Sequence, residues 1–332
     1  MVRIAVLGAG RIGKIHAANA AASQRAKLVA VADPFGGAAS DLAGELSCES
    51  SRDPLAVIER PDIDAVIVGT PTDTHVDLTL RAVRAGKAVL CEKPIDLDIA
   101  RVDAAIAEIE RLQGRVMVAF NRRFDPTARR AHRSIRAGEV GEVRQVLITS
   151  RDPGLPSREY LRHSGGVFRD MVIHDFDMAR WLLGEEPVAI TAAASRLVDP
   201  ALGDVGDFDT VMVQMRTESG RQCHINCCRE AVYGYDQRFE VFGSAGMLLN
   251  ENMRPTTLRR WGKDETDARD RLLAFFLERY AEAYRAELDA FLQAVETETG
   301  APMPVTVRDG RQALRLADCA LESALSGQVV VV

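Results

Sequence analysis

The sequence has no excess of positive charge and no long apolar run. Its 332 residues include 42 Lys and Arg against 48 Asp and Glu, which gives a net charge of -6. Short basic clusters such as Arg129-Arg130 are therefore interpreted as solvated faces, and we expect no nucleic-acid partner. The apolar runs at 65–68 and 329–332 are far shorter than the roughly 20 residues of a membrane-spanning helix, so we expect no membrane partner.

A secretory signal and a zinc-type cysteine spacing are also lacking. The opening MVRIAVLGAG meets glycine and charge too early for a signal peptide, and we expect a soluble, cytoplasmic protein. The six cysteines are therefore expected as reduced thiols. Cys223, Cys227 and Cys228 lie with His224 in an alternating, strand-like run and not at a metal-binding spacing, so we predict no metal site.

The length and the apolar pattern predict two domains. A chain of 332 residues exceeds the size at which a single hydrophobic core usually keeps growing. In the first third, short and nearly continuous apolar runs alternate with helical segments, which is typical of βαβ units in a parallel sheet. From about residue 143 the strand-like runs are longer and alternate polar with apolar residues. We predict an N-terminal Rossmann domain with a doubly wound parallel sheet at 1–122, and an α+β domain with a large, mostly antiparallel open sheet at 123–332.

A glycine-rich motif, GAGRIG, follows the first predicted strand and opens the first predicted helix. Its glycines allow a tight turn, the approach of a pyrophosphate to the backbone, and close packing of helix against strand. The helix N-terminus offers N–H groups and the positive end of its dipole to the phosphates. We predict dinucleotide contacts from Gly8, Gly10, Arg11, Ile12 and Gly13.

Two later strand ends extend the predicted cofactor site. Asp33 ends the second strand, at a spacing where an acid binds the ribose hydroxyls of the adenosine. A carboxylate there would repel a 2'-phosphate and no arginine follows it, so NAD is favoured over NADP; the alternative is that Asp33 only begins a turn. Further cofactor contacts are expected in the loop after another central strand, from Thr70, Pro71, Thr74 and His75. His75 could equally cap the next helix.

The sequence Cys91-Glu92-Lys93-Pro94 ends a later predicted strand. A lysine at the carboxyl edge of a parallel sheet points toward bound ligand, where it can hold a substrate hydroxyl and stabilise developing negative charge. Together, G-x-G-x-I-G and this E-K-P resemble the Gfo/Idh/MocA family of NAD(P)-dependent sugar and polyol oxidoreductases. The resemblance implies that Glu92 and Lys93 lie at the cofactor, that Lys93 also contacts substrate, and that the Lys93-Pro94 bond is cis.

The segment GGVFRDMVIHDFDMARWLLG, residues 165–184, is predicted as a helix with two faces. At about 100° per residue, the apolar side lies opposite His174. It comprises Val172, Phe176, Ala179 and Leu183. Asp170 precedes His174 by one turn, so its carboxylate can orient the imidazole. Asp177 falls on the side of His174 and Asp175 lies about a right angle away, and both rank second as site residues.

The pattern D-x-x-x-H-D at 170–175 resembles the catalytic pattern of the family's inositol dehydrogenase branch, in which lysine, aspartate and histidine act together. The blocks FNRRFDP and YGYDQRFEVFGSAGM are similar to the same branch. The resemblance implies catalytic roles for Lys93, Asp170 and His174, and substrate contacts from Asn121, Arg122, Tyr233 and Tyr235. Some members carry a histidine where this chain reads Ser-Arg-Asp-Pro, and Asp152 is expected to replace its hydrogen bonds.

The expected reaction is NAD-dependent oxidation of a cyclitol ring hydroxyl, from myo-inositol to 2-keto-myo-inositol (scyllo-inosose). His174 would accept the hydroxyl proton, Lys93 would hold the reacting oxygen, and Asp170 would orient the imidazole and bind a neighbouring hydroxyl. The resemblance also implies a homotetramer. Three alternatives stay open: a dehydrogenase of another inositol isomer or an aldose, an NAD-binding sugar-sensing regulator without turnover, and an NAD-dependent glycosidase.

Overall fold

The computed structural model describes residues 1–35, 37–297 and 302–332. The strands are β1 Val2–Leu7, β2 Ala26–Ala32, β3 Glu49–Ser51, β4 Ala65–Val68, β5 Ala88–Cys91, β6 Val116–Val118, β7 Val143–Arg151, β8 Pro187–Ser195, β9 Thr210–Thr217, β10 Gln222–Cys228, β11 Asp236–Gly243, β12 Met247–Asn250, β13 Arg259–Arg260, β14 Ala268–Arg269 and β15 Val330–Val331. The α-helices are α1 Arg11–Ala22, α2 Ala38–Leu46, α3 Pro54–Ile58, α4 His75–Arg84, α5 Ile99–Arg111, α6 Pro126–Arg136, α7 Arg158–Leu161, α8 Ile173–Leu183, α9 Phe276–Arg279, α10 Ala281–Glu296 and α11 Val307–Ser326. In the part of the chain so described, none of these helices combines the length and the apolar character that crossing a membrane requires.

The chain forms two compact units. Unit 1 comprises Met1–Phe124 and Ala283–Leu314, and unit 2 comprises Asp125–Glu282 and Arg315–Val332. The chain thus returns to unit 1 late in the sequence, and the backbone N–H of Val118 in β6 donates to the carbonyl of Val305. The predicted domain boundary after residue 122 assumed that each domain is one continuous stretch of the sequence. That boundary stays a prediction.

Unit 1 is built on a six-stranded parallel sheet. Its strand order is β3-β2-β1-β4-β5-β6, so the chain moves outward on one side of β1 and then on the other. Every residue of β4, β5 and β6 is buried, which is why their sequences are continuously apolar. Ligands of such sheets bind outside the carboxyl ends of the strands, where the order reverses between β1 and β4. The predicted Rossmann domain is confirmed.

Unit 2 contains a seven-stranded sheet with the order β12-β11-β7-β10-β9-β8-β15. Only the pair β7 and β10 is parallel among its described neighbours, so the predicted mostly antiparallel sheet is also confirmed. Burial alternates strictly from Val211 to Thr217 in β9, because one face packs inward and the other is open. Helix α8 packs against β7 and β10.

The predicted helix over 165–184 is only partly regular. Its four apolar positions are fully buried, as expected: Val172, Phe176, Ala179 and Leu183. Phe168–Val172, however, form a π-helical turn that precedes α8. A π turn closes from i to i+5 and advances by a smaller angle per residue than an α-helix, so the 100° spacing assumed between Asp170 and His174 is wrong. Asp177, placed on the polar side with His174, is 1% exposed and belongs to the packed side.

Candidate active site

The glycine motif forms a loop that is closely packed at its two ends and open at its middle. Gly8 has φ +99°, and a Cβ there would lie 2.5 Å from the carbonyl oxygen of Gly69. A Cβ on Gly13 would collide with the carbonyl oxygen of Gly8, whereas one on Gly10 would meet no heavy atom within 4 Å. The backbone at Gly10 can therefore be approached closely by a ligand.

Helix α1 begins directly after this open position. Its first residue is Arg11, its N-cap is Gly10, and no side chain caps its first turn. Ile12 lies against the next loop, since its Cγ2 would be 3.4 Å from a Cβ on Gly69. Backbone N–H groups at such a helix start lack intrahelical acceptors, so the loop offers donors to an anionic group.

Asp33 connects the end of β2 to the glycine loop. Its Oδ2 accepts the N–H of Ala9 at 2.7 Å, and its Oδ1 accepts the N–H of Phe35 at 2.9 Å. The bond from the N–H of Phe35 closes a turn that begins at Asp33, which is the alternative role that the sequence indicated for this residue. The same carboxylate therefore begins a turn and lies beside the dinucleotide motif.

The loop after β4 is held by side-chain hydrogen bonds. The hydroxyls of Thr70 and Thr74 are 2.6 Å apart, and Thr74 also donates to the carbonyl of Pro71 at 2.7 Å. The N-cap of α4 is Thr74, so the alternative that His75 caps this helix is wrong. His75 is buried, with Nδ1 2.8 Å from the carbonyl oxygen of Pro94 and Nε2 2.8 Å from that of Thr70. Its ring joins the loop after β4 to the turn after β5.

The E-K-P sequence follows β5. The Lys93-Pro94 peptide bond is cis, as the resemblance implied. Glu92 is 6% exposed, and its Oε1 lies 2.7 Å from Nε2 of the fully buried His16 in α1. Its Oε2 accepts the N–H of Lys93 at 3.2 Å. The backbone of Lys93 is thereby tied to the helix that begins at the glycine loop.

Asn121 and Arg122 follow β6 in a short 3-10 turn, Asn121–Phe124, and both are buried. The neighbouring Arg123 pairs with Asp309 at 3.0 Å within unit 1. The structure therefore places all the predicted site residues of unit 1 after the carboxyl ends of five neighbouring strands, β1, β2, β4, β5 and β6.

In unit 2, Asp170 lies in the π turn and faces a buried arginine. Both terminal nitrogens of Arg229 are 3.3 Å from Oδ2 of Asp170, and one is 3.5 Å from Asp207. Burial by itself would lower the pKa of Arg229, but the charges of Asp170 and Asp207 raise it above its usual value. Tyr160 donates its hydroxyl to the other oxygen of Asp170 at 2.7 Å. The carboxylate is therefore fixed from two sides.

Asp207 also anchors the chain that enters the π turn. Its Oδ1 accepts the N–H groups of Val167 at 2.6 Å and Phe208 at 2.7 Å. Gly166 has φ +81°, and a Cβ there would lie 3.0 Å from the same oxygen. The approach of Asp207 thus requires glycine at this position, and it fixes the backbone four residues before Asp170.

His174 and Asp152 lie on different elements of unit 2. His174 is in the first turn of α8 and is half-buried. Asp152 follows β7, donates its N–H to the carbonyl of Cys228 at 2.9 Å, and contributes to the raised pKa of Arg229 through its charge. Asp152 and Asp170 therefore share the electrostatic surroundings of one arginine.

The two predicted substrate tyrosines have different environments. The hydroxyl of Tyr233 donates to Asp236 at 2.6 Å and accepts from Arg151 at 2.8 Å. Because Arg151 projects from the open face of the sheet, where it binds Asn226, Tyr233 lies on that face and away from α8. Tyr235 is buried and packs edge-to-face in an aromatic cluster with Phe275 and Tyr280.

Sequence reasoning missed Arg229 and His16. A signal existed for Arg229, because Cys223, Ile225 and Cys227 are the buried positions of β10 and period-2 alternation continues to residue 229. No comparable signal singled out His16, which becomes notable only through its contact with Glu92.

Family models match most of the chain. One described as an oxidoreductase family with an NAD-binding Rossmann fold matches residues 2–120, and one described as the GFO/IDH/MocA C-terminal domain matches 128–249. An inositol 2-dehydrogenase of Rhizobium meliloti (strain 1021) is 51% identical over 322 residues, which are 97% of this chain and 96% of that protein. The chain belongs to the Gfo/Idh/MocA oxidoreductase family.

Solved structures agree with this Gfo/Idh/MocA assignment. A myo-inositol dehydrogenase from Corynebacterium glutamicum ATCC 13032 has a TM-score of 0.96 at 44% identity, covering 100% of this chain and 99% of that one. A scyllo-inositol dehydrogenase from Lactobacillus casei, with bound NAD(H) and scyllo-inositol, has a TM-score of 0.92 at 28% identity, covering 100% and 98%. The predicted family resemblance is confirmed.

Unit 1 of this Gfo/Idh/MocA protein fits the NAD cofactor of its family. The open backbone at Gly10 and the uncapped start of α1 suit a pyrophosphate, and the carboxylate of Asp33 suits ribose hydroxyls. Among the residues that the structure describes, no three His, Cys, Asp or Glu side chains are grouped so that they could hold a metal ion.

Proposed function

We propose that the protein is an NAD-dependent inositol 2-dehydrogenase that oxidises myo-inositol to 2-keto-myo-inositol. The observation that carries this proposal is the 51% identity, over 97% of the chain, to an inositol 2-dehydrogenase. The E-K-P turn and the fixed carboxylate of Asp170 support it, because oxidation of an alcohol needs groups that hold the oxygen and receive its proton.

The residues have separate roles in the proposed reaction. His174 accepts the hydroxyl proton, and Lys93 donates a hydrogen bond to the reacting oxygen as negative charge develops on it. Asp170, held by Arg229 and Tyr160, orients the imidazole and accepts a hydrogen bond from a neighbouring ring hydroxyl. NAD, when bound, supplies the carbon that receives the hydride.

Substrate contacts are proposed from Asn121, Arg122, Asp152 and Tyr235. Tyr233 is proposed to contact substrate as well, and its place on the open face of the sheet makes it the weakest member of this set. If a Tyr233→Phe variant has an unchanged KM for inositol, Tyr233 does not contact the substrate.

The test of the function is NADH formation by the purified protein. It should be offered myo-, scyllo- and chiro-inositol and an aldose, each with NAD and with NADP. We expect NADH from myo-inositol and little reaction with NADP. If NADH forms only with another isomer or with the aldose, that compound replaces myo-inositol as the proposed substrate. Tight NAD binding without turnover would indicate a regulator. Release of an aglycone from aryl glycosides would indicate a glycosidase.

The role of His174 has its own test. His174→Ala should lower kcat/KM for myo-inositol by about 10²- to 10⁴-fold, because the proton acceptor is lost. His163→Ala is a matched control, since His163 is exposed in the same unit. Equal activity of the two variants would show that His174 is not the base.

We also propose a homotetramer that works in the cytoplasm. The open face of the unit 2 sheet carries large exposed apolar side chains, which is typical of an association surface. They are Leu147, Met212, Phe242, Met247 and Leu249. All six cysteines are free thiols, which suits a reducing compartment.

The assembly can be tested by light scattering. Met212→Glu should give a smaller species than the wild-type protein, whereas Leu197→Glu should not, although both positions are exposed. A monomeric wild-type protein would contradict the tetramer.

A further inference from the structure

A buried cluster of ionisable side chains lies behind the E-K-P turn of unit 1. His16 and Glu287 have no exposed surface, and Glu92 is 6% exposed. His16 comes from α1, Glu92 follows β5, and Glu287 comes from α10. Neither the cofactor contacts nor the reaction requires three such groups to be buried, and burying them is costly unless they are paired.

The contacts within the cluster form a chain that ends at Lys93. Nε2 of His16 is 2.7 Å from Oε1 of Glu92, and Oε2 of Glu92 accepts the backbone N–H of Lys93 at 3.2 Å. We assign the imidazole hydrogen to Nε2, because the carboxylate then accepts at both oxygens. The ring of Tyr284 stands edge-on to that of His16, with centroids 5.8 Å apart, and limits its rotation.

Glu287 is the third ionisable side chain of the cluster. Neither of its carboxyl oxygens has a hydrogen-bond partner within the described residues. Burial, and secondly the charge of Glu92, raise the pKa of Glu287 well above its usual value. Glu287 therefore favours its neutral form in the folded protein. The two donors of the cluster, Nε2 of His16 and the backbone N–H of Lys93, both contact Glu92.

We propose that His16 is a positioning residue for Lys93 and acts through the carboxylate of Glu92. This inference rests on the proposed function, because it takes Lys93 as the residue that holds the reacting oxygen. Without His16, one oxygen of Glu92 is buried with no donor, and the carboxylate turns away from the N–H of Lys93. A displacement of about 1 Å at such a group can reduce turnover about 10²-fold.

Two substitutions at His16 distinguish the effect of losing the hydrogen-bond donor from the effect of changing the side-chain volume. His16→Leu keeps the bulk and removes the donor, whereas His16→Gln keeps an N–H group close to the position of Nε2. Ala18→Gln is the matched control, because residue 18 is exposed on the same helix. For each protein, kcat with myo-inositol, the Kd for NAD by calorimetry, and Tm should be measured.

A fourth measurement is independent of turnover. Hydrogen exchange of the Lys93 amide, measured by NMR on the cofactor-free protein, reports directly on its bond to Glu92. We expect His16→Leu to accelerate this exchange at least about 10-fold and to lower kcat by about 10- to 10²-fold, with the Kd for NAD within about 3-fold of wild type. His16→Gln should recover most of both losses.

Two results with His16→Leu would overturn the inference. The first is a folded His16→Leu protein with unchanged exchange at Lys93 and unchanged kcat. The second is a parallel loss of kcat and NAD affinity, since that would place the effect of His16 on the glycine loop. If His16→Leu does not fold, Glu92→Gln is decisive, because it keeps the shape of the side chain and replaces one of the two acceptor oxygens with an NH2 group. Unchanged exchange and kcat in that variant would also refute the inference.

The failure of the inference differs from that of the proposed function. A wild-type protein that gives no NADH with any inositol refutes the function, whereas the exchange measurement still tests the contact chain from His16 to Lys93.

Discussion

Arg229 is the largest side chain that is fully buried among the described residues. The free-energy cost of desolvating Arg229 is offset by the carboxylates of Asp170 and Asp207, so one guanidinium fixes the proposed catalytic residue Asp170 and the loop that leads to it. The D-x-x-x-H-D pattern selected Asp170 and His174 as candidate site residues, although the regular helix assumed between them is wrong, and their roles stay predictions. Arg229 was not predicted, because an arginine is rarely buried and only the alternation of β10 indicates its direction.

Removing this arginine should be strongly destabilising. Arg229→Leu should lower the free energy of unfolding by about 3–5 kcal/mol, because two carboxylates would lose their buried cation. Arg130→Leu, at an exposed pair with Glu139, should cost less than about 1 kcal/mol. Denaturant unfolding of both variants measures the difference, and similar losses would show that Arg229 has no special electrostatic role.

A smaller change tests the second support of Asp170. Tyr160→Phe removes the hydroxyl that donates to its Oδ1, and Tyr160 is half exposed, so packing is little affected. We expect kcat to fall up to about 10-fold, since one hydrogen bond contributes about 1 kcal/mol, and Tm to stay close to that of wild type. An unchanged kcat would mean that Arg229 alone positions Asp170.

At the scale of elements, the apolar pattern predicted the parallel sheet, the mostly antiparallel sheet and the apolar side of α8, but it did not predict the short strands β3, β12 and β15. It could not predict the π turn at Phe168–Val172, because the turn is only five residues long and the apolar residues after it keep the helical spacing. Tertiary contacts hold the chain where it enters the turn, among them the bond from the N–H of Val167 to Asp207. Such turns are frequent at functional sites, and here one carries Asp170.

The glycine before this turn gives a test of its geometry. Gly166→Ala should cost about 1–2 kcal/mol from its left-handed φ alone, and more from the approach of Asp207 Oδ1. Gly138→Ala has a similar φ, +75°, but no atom within 4 Å of the added Cβ. Thermal unfolding and kcat of both variants should be compared. Only Gly166→Ala should also lower kcat. Equal kcat values for the two variants would show that the loop at Gly166 does not position the active site.

At the scale of the whole molecule, stability should depend on pH through Glu287. The folded protein keeps the proton of this carboxyl above 4.5, its usual pKa, whereas the unfolded chain releases it. The folded state then binds more protons, so stability falls as pH rises above about 4.5 by up to about 1.4 kcal/mol per pH unit.

Glu287→Gln should remove this dependence. Its unfolding free energy, relative to wild type, should increase as the pH rises above about 4.5 and show little difference below that pH. Glu108→Gln gives the opposite sign, because a hydrogen bond from Arg84 lowers the pKa of Glu108 and stabilises the fold above that pKa. Parallel pH profiles for wild type and Glu287→Gln would show that Glu287 is ionised in the folded protein.

The late return of the chain to unit 1 has a consequence for synthesis. Val305 supplies a carbonyl to β6, and the carbonyl of Val295 accepts from Arg115 at 2.9 Å. Glu287 and Tyr284 complete the cluster behind the E-K-P turn from the same late segment. A nascent chain that has reached residue 282 has its parallel-sheet sequence but none of these partners, so the NAD-binding half becomes complete only after most of the other half has left the ribosome.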